Sequence, residues 1–197
     1  GDKTSDPLSV GITHVHHFYT KRSLFILSAL YFKIYKRKNL LGAFISTLQG
    51  LSKMQRYSPG STFPNMILSG TLYVGSLTRE WNVWNWFTGK VRGLSHSFNN
   101  RKPIKKDYTI LQTCSITTNL AKKENYTDFI FIDPPFGGNV MYSELNFIWE
   151  TWLKVVTCNE KEVIVNKTQN KKLYDYQQLI LDSFNYCFNN LKPGKWL

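Results

Sequence analysis

The run Phe129-Ile-Phe-Ile, closed by Asp133-Pro-Pro-Phe and Gly137-Gly138, constrains this chain more than any other feature. Four apolar residues follow one another without polar alternation. That is the pattern of a strand covered on both faces, and such strands belong to largely parallel sheets flanked by helices. The sequence therefore predicts a strand over Asp128 to Ile132 inside an α/β layer. In an open α/β sheet, ligands bind at the carboxyl ends of the strands, which is where Asp133-Pro-Pro-Phe would stand. Two prolines fix the backbone there, so the Asp133 carboxylate and the Pro134 carbonyl can be aimed at one point as rigid acceptors.

The rest of the chain divides near Lys106. Gly1 to Thr13 reads as an extended lead-in. Thr20 can cap a helix over Lys21 to Arg37, with Leu24, Leu27, Tyr31 and Ile34 at helical spacing. A second helix is predicted over Leu40 to Arg56, with Leu41, Phe44, Ile45, Leu48, Leu51 and Met54 on one face, ended by Ser58-Pro-Gly-Ser. Met66 to Val74 reads as a strand or hairpin, followed by an aromatic and basic segment from Trp81 to Arg92 and a basic connector from Arg101 to Lys106. Beyond it, Tyr108 to Gln112 is a further strand candidate. Ser143 can cap a helix that turns Leu145, Ile148, Trp149, Trp152 and Val156 inward. The clearest periodicity, Leu173, Tyr176, Ile180, Phe184, Cys187, Phe188 and Leu191, marks a last helix, which Pro193-Gly194 turns into a strand at Lys195 to Leu197. The expected domains are thus 1–106, a basic helical and aromatic region, and 107–197, part of an α/β domain.

Charge separates the same two halves. Of the net +12, Pro7 to Lys106 carries +14, from fifteen Lys and Arg against Glu80 alone, and the remaining residues carry −2. A polyanion partner is implied, nucleic acid before a membrane, because the aromatic residues are scattered rather than gathered on one amphipathic face. A solvated basic surface is the plainer reading. Leu24 to Tyr35, the longest apolar-rich stretch, is broken by Ser28 and Lys33 and is shorter than the roughly 20 residues of a bilayer span. No membrane helix and no signal peptide at Gly1 are expected. Cys114, Cys158 and Cys187 form an odd, widely spaced set without C-x-x-C, which argues against a disulfide framework or structural zinc and fits a reducing cytoplasm. Asn125-Tyr-Thr and Asn166-Lys-Thr match a glycosylation pattern that is common by chance.

An exocyclic amine on an aromatic base has two N–H donors and a lone pair delocalised into its ring. Accepting both hydrogens at Asp133 and Pro134 would draw the nitrogen towards tetrahedral geometry and free that pair for attack. Phe136 offers a flat face for a base lifted out of a duplex. The alternative is an ordinary strand-ending turn with an aromatic plug. Gly137, Gly138 and Asn139 read equally as a mobile lip or as a loop without side-chain bulk, and Tyr142 as a base contact or, more commonly at a helix start, a core residue.

The stretch Asp133-Pro-Pro-Phe-Gly-Gly-Asn-Val-Met-Tyr-Ser-Glu-Leu-Asn-Phe resembles the catalytic loop of prokaryotic adenine-specific, amino-group DNA methyltransferases. The resemblance extends to Thr13-His-Val-His-His-Phe-Tyr-Thr-Lys-Arg, Gly70-Thr-Leu-Tyr-Val and Leu191-Lys-Pro-Gly-Lys-Trp. It implies a partial Rossmann-like methyltransferase α/β fold preceded by a basic helical region. It also implies Asp133, Pro134, Pro135 and Phe136 as the catalytic motif, S-adenosylmethionine as methyl donor, and direct in-line transfer to adenine N6 after base flipping. The chain departs from the family in having no Gly-x-Gly among its twelve glycines. The donor-binding loop is therefore missing, and the chain is expected to be a fragment that binds donor weakly by itself, with the donor-binding half of the same protein or a restriction or defence protein as possible partners.

Lys21, Arg22, Lys36, Arg37, Lys38, Arg79, Lys90, Arg92, Arg101 and Lys102 are the candidate phosphate contacts, each of which is individually an ordinary surface charge. Trp81, Trp84 and Trp86 are candidates for base stacking, with core packing expected for at least two. His14, His16 and His17 can project two ligands from one strand face, but no cysteine or carboxylate pair completes a metal set. Glu144 and Glu150 read as helix-surface or capping residues. Two other readings stay open: a noncatalytic nucleic-acid-binding subunit or degenerate methyltransferase, and the same chemistry on cytosine N4, RNA or a protein amide.

Overall fold

The computed structural model describes residues 7–60, 72–100, 115–116, 126–139 and 141–197. The strand candidate Tyr108 to Gln112, most of Met66 to Val74, the connector Arg101 to Lys106, Asn125 and Cys114 lie outside them. Contacts divide the chain into two compact units, one of Lys3–Lys105 with Glu144–Thr157, the other of Gly1–Asp2, Lys106–Ser143 and Cys158–Leu197.

The first unit is helical. Its lead-in is not wholly extended, because Pro7–Val10 winds one 3-10 turn. A second 3-10 turn, Val15–Phe18, precedes α1 (Lys21–Ile34), whose cap Thr20 accepts a hydrogen bond from the Ser23 amide at 3.1 Å. The helix stops at Ile34, three residues short of Arg37, and α2 (Lys38–Leu48) starts almost at once. The break lets Ile34 and Phe44 enter one core, which a continuous rod would not allow. The second helix also ends early, at Leu48 rather than Arg56. From there the backbone bonds elsewhere: the Lys53 amide donates to the Phe18 carbonyl at 2.7 Å and the Arg79 amide to the Gln55 carbonyl at 2.8 Å. Gly50 makes room beside this turn for the Trp86 ring, since a Cβ there would lie 2.8 Å from it.

The aromatic and basic segment is a helix that the sequence reading missed, α3 (Val83–Asn99), capped by the Asn82 side chain, which accepts from the Asn85 amide at 3.0 Å. Val83 and Phe87 are buried and Trp86, Val91 and Leu94 pack on the same core, while Lys90 and Arg92 face outward. Leu72 to Val74 form no strand, although Leu72 and Val74 pack on that core. α5 (Phe147–Leu153) contributes Ile148, Trp149 and Trp152, with the Trp152 ring 5.2 Å from that of Phe44. Val156 is exposed, contrary to expectation, because Lys154 adopts a left-handed conformation (φ 57°) that ends the helix before Val156 is reached. Glu150 accepts from the Thr157 amide at 2.9 Å and holds the segment that follows.

The second unit holds a two-stranded parallel sheet, β1 (Thr127–Phe129) beside β2 (Leu191–Trp196), the latter entered directly from α6 (Leu173–Asn190). The strand before Asp133 is therefore shorter than Asp128 to Ile132 and is not covered on both faces, since Phe129 and Phe131 are exposed: only one strand flanks it among the described residues. The last strand begins at Leu191, directly after α6, so Pro193-Gly194 lies inside it rather than before it. On α6 only Cys187 is buried, and Leu173 and Phe188 point to solvent. Met141, Ile164 and Asn166 are the other buried residues of this unit among those described. Tyr142, at the start of α4 (Tyr142–Leu145), is exposed rather than core, and Ser143 does not cap: its amide and hydroxyl both donate to Glu162, at 2.9 and 2.7 Å. Among the described residues no helix is long and apolar enough to cross a membrane.

Candidate functional site

Beyond Phe129 the chain leaves the sheet and runs without regular structure to Asn139. Asp133 is exposed, and no hydrogen bond or ion pair among the described residues engages its carboxylate. The Pro134 carbonyl is equally unengaged, whereas the next one is held: the Tyr176 hydroxyl, on α6, donates to the Pro135 carbonyl oxygen at 2.9 Å. Phe136 is 76% exposed, so its ring presents a flat face to solvent.

Three further contacts fix the loop. The Val165 amide donates to the Gly137 carbonyl at 3.1 Å, and the Asn139 amide to the Phe136 carbonyl at 3.0 Å. Gly138 lies against Val165 so closely that an added Cβ would meet the Val165 carbonyl oxygen at 2.8 Å. The bracing segment, residues 162–171, is itself tied down. Glu162 accepts from the Gln169 side chain at 2.8 Å as well as from Ser143, and Lys171 donates to the Glu162 carbonyl at 2.6 Å. Burial of its ammonium lowers the Lys171 pKa, with Glu162 opposing.

Asn166 organises this segment. It is fully buried, its backbone bridges Lys171 in both directions, and its side-chain oxygen accepts from the Thr168 hydroxyl at 2.5 Å and the Gln169 amide at 3.1 Å. Its amide nitrogen points at the Met141 sulfur, 3.5 Å away. A side-chain amide closing its own turn is what Asn-x-Thr encodes here. From sequence alone Asn166 reads as a chance glycosylation pattern, Tyr176 only as one position of a helical period, and Glu162 has no role. A polar run dense in Asn, Thr, Gln and Lys next to a Gly-Gly pair was the available signal.

The candidate cations all belong to the helical unit. Lys21 and Arg22 start α1, and Lys36, Arg37 and Lys38 follow its end, a helix of 14 residues and hence roughly 21 Å away. They form two groups, not one patch. Arg22 is engaged with Glu80, Nη2 to Oε2 at 2.7 Å, and the Arg79 guanidinium lies over the Tyr57 and Trp81 rings at 5.5 and 5.1 Å. Lys36 lies over the Tyr35 ring, and Lys21, Arg37, Lys38, Lys90 and Arg92 are exposed. Arg101 and Lys102 lie outside the described residues. Of the three tryptophans, Trp81 and Trp86 pack on the core and Trp84 is exposed.

His14, His16 and His17 are gathered with ring centroids 4.3 to 5.4 Å apart, His14 just before the Val15–Phe18 turn and the other two on it, not on a strand. Nδ1 of His14 lies 2.8 Å from the Thr13 hydroxyl, and desolvation followed by the other two imidazoles lowers the His17 pKa. Among the described residues no group of three His, Cys, Asp or Glu is placed to hold a metal ion.

S-Adenosylmethionine fits this loop poorly. Of the glycines that follow β1, Gly138 is packed against Val165 and Gly137, with φ 50°, faces open space; both come after the acidic motif instead of opening a helix, so they form no cradle for a donor. Compared with known proteins, the chain matches no protein-family model, no curated protein and no solved structure.

Proposed function

We propose that this chain presents the target-base loop of a DNA methyltransferase acting on the N6 amino group of adenine, with S-adenosylmethionine as methyl source. The observation that carries the reading is the pairing of two free acceptors, the Asp133 carboxylate and the Pro134 carbonyl, with the exposed ring of Phe136, on a loop held by Tyr176 and Val165. Held by a separate segment, S-adenosylmethionine would supply an electrophilic methyl carbon and would leave as the neutral thioether. The chain's own residues hold the acceptor: the Asp133 carboxylate accepts a hydrogen bond from one N6–H, the Pro134 carbonyl from the other, and Phe136 stacks on the extruded ring; as N6 bonds to the methyl carbon it gives up one of these protons, to Asp133 or to water. Fixing these acceptors beforehand removes the reorganisation that a flexible loop would require. The donor is expected from a separate glycine-rich segment, of the same protein or of a partner.

The runner-up, a noncatalytic nucleic-acid-binding subunit, is favoured by the missing Gly-x-Gly and by the exposed Lys36, Arg37 and Lys38. One experiment separates the two. The open reading frame containing this sequence is expressed in a bacterial host without adenine methylation, and genomic nucleosides are analysed by mass spectrometry. N6-methyladenine that appears with the wild type and disappears with Asp133→Ala and Phe136→Ala supports the proposal. Methylation that persists in Asp133→Ala removes the mechanism, and DNA binding by a wild type that methylates nothing selects the runner-up.

A further inference from the structure

A second site stands in the helical unit, and it does not depend on the role of Asp133. Between the Val15–Phe18 turn, α1 and α5 lies a cavity of about 360 Å³, within the size range of small-molecule sites. Its walls are flat rings. Tyr31 and Trp152 meet with centroids 5.6 Å apart at 61°, Tyr19 and Trp152 at 6.1 Å and 85°, and Phe32 lines the same space. Crossed aromatic faces of this kind hold a planar guest better than a branched aliphatic one.

Two polar features define the guest further. Tyr19 is 3% exposed and its hydroxyl hydrogen has no acceptor among the described residues. Burial raises its pKa, with only the Trp152 side chain opposing, so the group is a protonated donor without an acceptor. Such a buried donor is costly until an acceptor arrives. Lys154, which also lines the cavity, is exposed and holds a left-handed backbone (φ 57°, ψ 40°) that a residue with a long side chain seldom adopts. It carries a cation beside the aromatic walls, and no carboxylate among the described residues pairs with it.

We infer that this cavity binds a nucleotide: a heteroaromatic ring among Tyr19, Tyr31, Phe32 and Trp152, a ring nitrogen or carbonyl accepting from the Tyr19 hydroxyl, and a phosphate reaching Lys154 and His16. The shared chemistry can come from a free nucleotide or from an unstacked base of a single strand, and the surrounding positive charge of the unit favours either.

The test is calorimetric titration of the protein with AMP, with adenosine and with a single-stranded adenine pentanucleotide, no methyl transfer being measured. Saturable binding of AMP or of the pentanucleotide is expected. Tyr19→Phe weakens it about five- to tenfold while leaving the melting temperature unchanged or higher, because the unpaired hydroxyl is gone. Lys154→Gly, which suits the left-handed backbone and removes the charge, weakens AMP but not adenosine. The ligand that binds more tightly, AMP or the pentanucleotide, identifies the source. Absence of saturable binding by both, or binding that neither variant alters, overturns the inference.

Discussion

The Tyr176 hydroxyl donates to the Pro135 carbonyl oxygen at 2.9 Å, linking α6 to the loop that carries Asp133. A side chain from a regular helix thus holds a loop that has no secondary structure of its own. Pro135 has no amide hydrogen to offer, so its carbonyl is its one backbone hydrogen-bonding group. Replacing Tyr176 by Phe removes one hydrogen bond, worth about 1 kcal/mol, from the loop and little from the rest of the unit. Tyr176→Phe is expected to speed hydrogen exchange at the Val165 and Asn139 amides severalfold with a nearly unchanged melting temperature. Unchanged exchange would mean that Tyr176 does not hold the loop.

Gly138→Ala tests the same brace from the other side. The Cβ would meet the Val165 carbonyl oxygen at 2.8 Å, and because that atom is backbone, no side-chain rotation relieves the clash. A loss of about 1 to 3 kcal/mol in denaturant unfolding is expected, as for overpacked interior sites. Adding Val165→Ala should not restore it. Rescue by that second change would show the conflict to be with the side chain.

How far the sequence could be read depended on whether an element carries its own signal. Thr20 announced α1, and the spacing of Leu173, Tyr176 and Ile180 announced α6, because capping and helical period are local properties. The early end of α2 was not legible, since it follows from bonds to Phe18 and Arg79, which are distant in sequence. α3 does carry local signals, the Asn82 cap and the Val83, Phe87, Val91, Leu94 period, but they are overlaid by the Trp, Lys and Arg residues on its other faces, which read as a binding segment. At the candidate site, Asp133 to Phe136 could be named from order alone. Tyr176, Asn166 and Glu162 could not, because their roles exist only once two separate segments meet.

Glu80 gives a pH-dependent prediction. The only acid from Pro7 to Lys106, it sits at the start of α1, where it accepts from Arg22 at 2.7 Å, Thr20 at 2.5 Å and Ser23 at 3.3 Å. The Arg22 guanidinium first, then the Thr20 hydroxyl, hold its carboxyl down to about 2 from an ordinary 4.5. A lowered folded-state pKa contributes stability above the unfolded value that disappears as pH falls through the folded one. Wild type is therefore expected to melt above Glu80→Gln at pH 7, by an amount of about 1 kcal/mol or less because the pair is solvent-exposed. The difference should shrink below about pH 4.5 and vanish near pH 2. A gap that is constant over this range would assign the effect to packing instead of charge.

The sheet carries the last prediction. Phe131 is 83% exposed and Trp196 75%, beside a parallel pair of strands that buries neither ring. Parallel sheets are ordinarily covered on both faces, and contiguous exposed apolar surface drives association. Side chains that lose little contact on truncation cost little, generally within about 0.5 kcal/mol, so Phe131→Ser with Trp196→Ser should leave the melting temperature almost unchanged. The same pair should lower binding of a hydrophobic dye and the concentration dependence of light scattering. A large drop in melting temperature would show that these rings are covered in solution, and that the sheet is completed by surface that the two strands do not themselves supply.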